Sequence, residues 1–236
     1  MHDMTPTPKS KKEGTMKRFL EIGGVAAGIV LIAFGVAAIV LGNNGKSTVG
    51  TELKNQQIVG TPDMTPAGIK AEVAGQPWAK NVALPTCSVA GQAVNTGSEA
   101  RCFAQYMRIH TLEATQGVPY ALMGRYEAKP GTPKAQLTAD GATNNTQYAV
   151  TDPTTKQPVE NGSRNIWVTE TALTTALNSS YMAEQMANFG IVVGIALLLA
   201  GFGFTILAVG GALENNWAFR RTEKKAETQT TAPLGA

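Results

Sequence analysis

The chain has 236 residues, with 20 Lys and Arg against 17 Asp and Glu, and is 43% hydrophobic but only 6% aromatic. A net charge of +3 with no basic patch interleaved with aromatics argues against nucleic-acid binding. The hydrophobic residues are gathered mainly into two blocks near the ends, so the average composition describes neither those blocks nor the polar stretch between them.

Residues 1–18, rich in Thr, Pro and Lys, read as a disordered cytoplasmic tail, with Met16 as a second potential start. Ile22 to Leu41 is then free of charge for 20 residues, enough helix to cross a hydrocarbon core of about 30 Å. We assign a transmembrane helix to 19–42. The block is too long for the apolar region of a signal peptide and shows no clear small-x-small cleavage site, so we expect it to be retained. Gly24, Gly28, Gly35 and Gly42 fall near one face of this helix, where backbones can approach closely.

Residues 43–188 form the expected extracytoplasmic domain. Between 43 and 189 eleven basic and eleven acidic side chains cancel. The first helix there has Thr65 as N-cap, Pro66 at its first position and Ala67 to Val73 before Gly75. Cys87 and Cys102 are the only cysteines, and outside the cytoplasm they are expected to form a disulfide. The loop of about 16 residues that it closes corresponds to about 3 kcal/mol in the chain-entropy model. A second helix follows Ser98 as N-cap and runs from Glu99 to about Gln116, stopped by Gly117. Its apolar arc holds Cys102, Phe103, Tyr106, Met107, Ile109 and His110, opposite Arg101, Gln105 and Arg108. Phe103, Tyr106, Ile109 and His110 are the candidate core. Residues 130–163, with four prolines, read as an irregular excursion or a short hairpin.

From Val168 nothing compels a break before the second block, Phe189 to Leu213, which is uncharged over 25 residues. The expectation is one helix, 168–213, whose segment 189–213 crosses the membrane. Ala172, Ala176, Ser179, Ala183, Ala187, Gly190, Gly194 and Gly201 form a small-residue stripe along it. We expect this stripe to face the glycines of the first span, within one chain or across subunits. Lys9, Lys11, Lys12, Lys17 and Arg18 precede the first span, and Arg220, Arg221, Lys224 and Lys225 follow the second, which places both tails in the cytoplasm. Trp217 and Phe219 suit the interface, and 214–236 forms the second cytoplasmic tail.

No catalytic motif emerges. No Gly-x-Ser-x-Gly elbow, Ser-x-x-Lys pair or phosphate-cradling glycine loop is present, and bridged cysteines offer no nucleophile. His2 lies in the tail, leaving His110 as the sole external histidine. A metal there would need carboxylates such as Glu113 or Asp140, with no supporting spacing, so we expect no metal and no cofactor. The spans are almost free of ionisable groups, which does not favour transport. Asn144, Asn161 and Asn178 head glycosylation sequons that matter only in a host with that machinery.

The segments Gly50-Thr51-Glu52-Leu53, Val59-Gly60-Thr61-Pro62-Asp63-Met64-Thr65-Pro66, Tyr106-Met107-Arg108-Ile109-His110-Thr111-Leu112-Glu113-Ala114-Thr115, Tyr120-Ala121-Leu122-Met123-Gly124-Arg125-Tyr126 and Trp167-Val168-Thr169-Glu170-Thr171-Ala172-Leu173 carry a resemblance. Over about residues 20–215 the chain resembles a family of two-span membrane proteins from actinobacteria. Members sometimes bear the name of an aromatic-ring-opening dioxygenase small subunit. Non-haem iron oxygen chemistry typically wants two histidines and a carboxylate, which one structured histidine does not supply.

Taken together, the sequence predicts a mainly α membrane protein. Two transmembrane helices flank a disulfide-containing, mostly helical extracytoplasmic domain with irregular loops. The expected function is a non-enzymatic structural or protein-interaction module of the cell envelope, with another envelope protein or further copies of itself as partner. The alternative is a ligand-binding or accessory subunit of an envelope enzyme or transporter.

Overall fold

The computed structural model describes residues 10–230, with side chains from 18 to 210. His2, the outermost parts of both expected tails and the side chains of Trp217 and Phe219 lie outside the described residues. Four α-helices order the chain: α1 (Ser10–Gln56), α2 (Pro66–Glu72), α3 (Gly97–Ala114) and α4 (Gly162–Thr230). Short 3-10 turns occur at Pro77–Asn81, Tyr120–Leu122, Lys134–Gln136 and Thr146–Tyr148. No strand forms among the described residues, only isolated β-bridges. Helix α1 begins at Ser10, within the stretch expected to be disordered, and α4 begins at Gly162, six residues before Val168.

Contacts divide the chain into two compact units, whose described residues are 10–44 with 187–230, and 45–186. In the first unit both helices are long and apolar enough to cross a membrane. Phe34 and Leu199 are 65% and 69% exposed, so the outward surface is itself apolar, as a lipid-facing surface must be. The inward surface is built from backbone. A β-carbon added at Gly28 would come within 2.8 Å of the Gly201 carbonyl, and one at Gly35 within 2.8 Å of the Gly194 carbonyl. One at Gly42 would meet the Ala187 carbonyl at 2.7 Å, and one at Gly24 the Ala208 β-carbon at 2.8 Å. Gly190 faces the Ala38 carbonyl at an ordinary 3.8 Å. As the α1 number rises the α4 number falls, so the two helices run antiparallel through a glycine-lined seam. Thr205 Oγ1 donates to the Gly201 carbonyl (2.9 Å), which satisfies the hydroxyl within α4.

The second unit is organised by α3. Its N-cap is Thr96, two residues before the expected Ser98, because Thr96 can form a complete capping box. Thr96 Oγ1 accepts from Glu99 N (3.2 Å), and Glu99 Oε2 accepts from Thr96 N (3.0 Å) and Asn95 N (2.8 Å). A cap at Ser98 would put Arg101 in the third position, where no carboxylate could reciprocate. Gly97 then fits under α4: an added β-carbon would lie 2.7 Å from Tyr181 Cα, and Gly97 N donates to Glu184 Oε2. At the other end α3 stops at Ala114, and Gln116 and Gly117 turn away with φ of 52° and 78°.

Cys87 and Cys102 are bridged, and the core gathers Leu53, Met64, Ile69, Val89, Val94, Phe103, Tyr106, Ile109, Leu112, Trp167 and Leu177. The expected core positions Phe103, Tyr106 and Ile109 are buried, whereas the His110 side chain is 25% exposed and lies at the edge. One feature of α4 departs from the within-chain form of the expected stripe. Ala172, Ala176 and Ala183 are exposed, and the buried residues of that stretch are Trp167, Glu170 and Leu177. The reason is size: α3 offers a packed apolar surface, and Trp167 and Leu177 bury far more area against it than alanine can. Arg101 stacks over Tyr181 (4.6 Å) and Arg108 over Trp167 (5.8 Å), adding cation–π contacts to the α3–α4 seam.

The glycine seam predicts an asymmetric response to substitution. Gly28→Leu would drive a side chain into the Gly201 backbone and should destabilise the protein by about 1–3 kcal/mol, as overpacking typically does. Gly203→Leu, at a position with nothing within 4 Å, should leave stability unchanged. Thermal unfolding in detergent checks both; equal midpoints for the two variants would contradict the seam.

Candidate functional site

In the second unit three elements converge on His110. Asp63 lies in the turn before α2, Glu72 in the last turn of α2, and His110 on α3. The local sequence builds this arrangement. Thr65 Oγ1 caps α2 by accepting from Gly68 N (2.9 Å), and Pro66 supplies the preset φ of the first helical position. Gly68 is required because a β-carbon there would strike the Asp63 carbonyl. Buried Met64, Ile69 and Val73 fasten this short helix to the core, so its carboxylates are held beside α3.

His110 Nε2 lies 2.9 Å from Asp63 Oδ2 and 3.7 Å from Glu72 Oε1. One donor atom from each of the three side chains falls within 4.8 Å of the others. Glu113, three residues beyond His110 on the same face of α3, hydrogen-bonds Glu72. That bond, with burial and the charges of Glu113 and Asp63, pushes the Glu72 carboxyl up to about 7. Asp63 moves the other way: a hydrogen bond from Thr61 holds it below its ordinary value against the cost of burial, with His110 contributing. Burial raises the Tyr106 phenol, and the Asp63 charge raises it further.

Sequence reasoning singled out His110 and named Glu113 and Asp140 as examples of the carboxylates a metal there would need. Glu113 does reach the cluster through Glu72, whereas Asp140 belongs elsewhere, and Asp63 and Glu72 were not foreseen. Expected in the domain core, His110 lies at the core edge, where the α2 turn brings two carboxylates beside it. The only sequence signal was the strength of the α2 capping motif, which marks a short, well-defined helix with Asp63 before it and Glu72 at its end.

Asp140 instead anchors the loop between α3 and α4. Its carboxylate accepts from Thr138 Oγ1 (2.7 Å), Gly124 N (3.2 Å) and Asn161 Nδ2 (2.6 Å). Burial raises its pKa, but these bonds outweigh it and the net shift is downward. Asn161 is buried and also donates to the Gly124 carbonyl (2.8 Å), so this sequon residue is a structural clamp. Beyond it, Arg164 stacks over Tyr120 (4.2 Å) at an open depression of about 350 Å³ that Arg125, Tyr126, Glu160 and Val168 also line. A second, mainly apolar groove of about 380 Å³ is lined by Met107, Ile166, Thr169 and Leu173.

The chain matches no protein-family model, no curated protein and no solved structure.

The Glu72 shift fixes a sign for the pH dependence of stability. A carboxyl at about 7 in the folded state and 4.5 ordinarily contributes stability that is full below about 4.5 and is lost as pH rises through about 7. With a chelator present, the thermal midpoint should fall between pH 5 and 7.5, and Glu72→Gln should flatten that fall and raise the midpoint at pH 7.5. A wild-type midpoint that rises across this window would show that the shift has the wrong direction.

Proposed function

We propose that this chain is a non-enzymatic, two-span protein of the cell envelope, with both termini cytoplasmic and its 43–188 domain extracytoplasmic, where it acts as a structural or protein-interaction module. It is a member, on this reading, of the actinobacterial two-span family that its sequence resembles. Support for the membrane setting comes from the two long apolar helices, and support for the outside placement from the Cys87–Cys102 disulfide and the basic residues flanking both spans.

The observation that carries the interaction reading is the exposed surface around Tyr120. Tyr120, Leu122 and Val168 are 43%, 57% and 54% exposed, beside Arg125 and Arg164. Tyr and Arg residues are enriched at the energetic centres of protein interfaces, and both line this shallow depression. The partner is a second envelope protein that fills this depression.

Two experiments test the proposal. Single cysteines in the otherwise native chain, whose own pair is oxidised, report sidedness in intact cells: Lys134→Cys should react with an impermeant maleimide, and Lys12→Cys and Thr228→Cys should not. Labelling of either tail position would overturn the topology. Affinity purification of the full chain from membranes should recover a partner that the Tyr120→Ala, Arg164→Ala double variant loses; identical sets of proteins from both would sink the interaction reading.

A further inference from the structure

We propose that Asp63, Glu72 and His110 bind one divalent transition-metal ion of the zinc class, and that this ion ties α2 to α3. This goes beyond the interaction reading and does not depend on it. Distance is the first argument. Ligand atoms about 2.0–2.2 Å from a tetrahedral zinc ion stand about 3.4 Å from one another. The His110 nitrogen is 2.9 Å from one carboxylate oxygen and 3.7 Å from the other, which brackets that spacing. Small side-chain rotations bring all three donors onto one ion.

Hydrogen bonding is the second argument. His110 Nε2 is buried as an atom and makes no hydrogen bond of good geometry, its nearest polar neighbours being the Asp63 and Glu72 oxygens at 2.9 Å and 3.7 Å. Buried polar atoms are rarely left in that state. A metal ion uses the nitrogen lone pair and supplies the missing partner. Charge is the third argument. Asp63, Glu72 and Glu113 are crowded together, and among the described residues no Lys or Arg forms an ion pair with any of them within 4.0 Å. A divalent cation neutralises what no Lys or Arg does.

The donor set selects the class of ion. One imidazole nitrogen with carboxylate oxygens suits zinc and its transition-metal neighbours, whereas magnesium and calcium take oxygen ligands. Glu113 acts as a positioning residue, holding Glu72 through their hydrogen bond. Such a site fastens the α2 turn to the helix that carries the disulfide.

The test uses the full chain in detergent, purified with a histidine-free tag and stripped with a chelator. Zinc titration by calorimetry should show one saturable site per chain, and magnesium should give no binding. His110→Gln and Glu72→Gln should each weaken zinc binding about tenfold or more, and Glu113→Gln should weaken it less. Cobalt should produce a visible ligand-field absorption in the wild type that His110→Gln loses, and His2→Ala should keep it. Circular dichroism and an intact disulfide establish that each variant is folded. If His110→Gln fails that check, folded Glu72→Gln decides. No saturable zinc binding by the wild type, or equal affinity in the wild type and folded Glu72→Gln, would overturn the site.

Discussion

Tyr106 is wholly buried on α3, and its hydroxyl donates to the Cys87 carbonyl at 2.6 Å. One turn earlier on the same helix, Cys102 is bridged to that same residue. The two links, one covalent and one a hydrogen bond made in a desolvated setting, lock the segment before α3 onto its inner face. Val89 and Val94 are thereby held in the core, and Val89 N in turn donates to the Met64 carbonyl (3.2 Å), placing the start of α2. The positions of Asp63 and Glu72 follow from that chain of contacts, and so does the surrounding of His110, one turn beyond Tyr106.

The second unit thus carries its stability and its electrostatic tension on the same face of α3, the tension at the rim of the buried arc. Hydrophobic burial of Phe103, Tyr106 and Ile109 is strong enough to hold acidic groups close together at the rim. The upward shift of Glu72 is the physical record of that crowding. Asp140 shows the contrasting solution. It is partly buried too, but four groups donate hydrogen bonds to it, and its charge is stabilised. Two carboxylates in one domain therefore shift in opposite directions because one has donors around it and the other has another carboxylate.

In the first unit the organising force is different. The outward surface of both helices stays apolar, so their close packing rests on shape and not on hiding apolar side chains. Glycines at 28, 35 and 42 of α1 and at 194 and 201 of α4 let carbonyls of one helix lie against the other's backbone, while Phe34 and Leu199 stay on the outer surface. The small-residue stripe works only along this part of α4. Farther toward the N-terminus of the same helix, α3 provides an apolar surface, and large residues take over the contact.

The sequence by itself determined whatever depends on near neighbours. The length of the two apolar blocks, the single-faced glycines, the Thr65–Pro66 start of α2 and the apolar arc of α3 are all properties of residues within a few turns of each other. With only two cysteines in the chain, the disulfide had one pairing available. Tertiary structure decided the rest. Which face of α4 turns inward ahead of its long apolar segment depended on the competing surface of α3, so Trp167 and Leu177 displaced the alanine stripe. Which carboxylates meet His110 depended on a turn distant in sequence, and no spacing rule links Asp63 to a histidine on another helix. The role of Asn161 as a clamp was equally hidden, because burial, and not the sequon that it heads, sets what its amide can do.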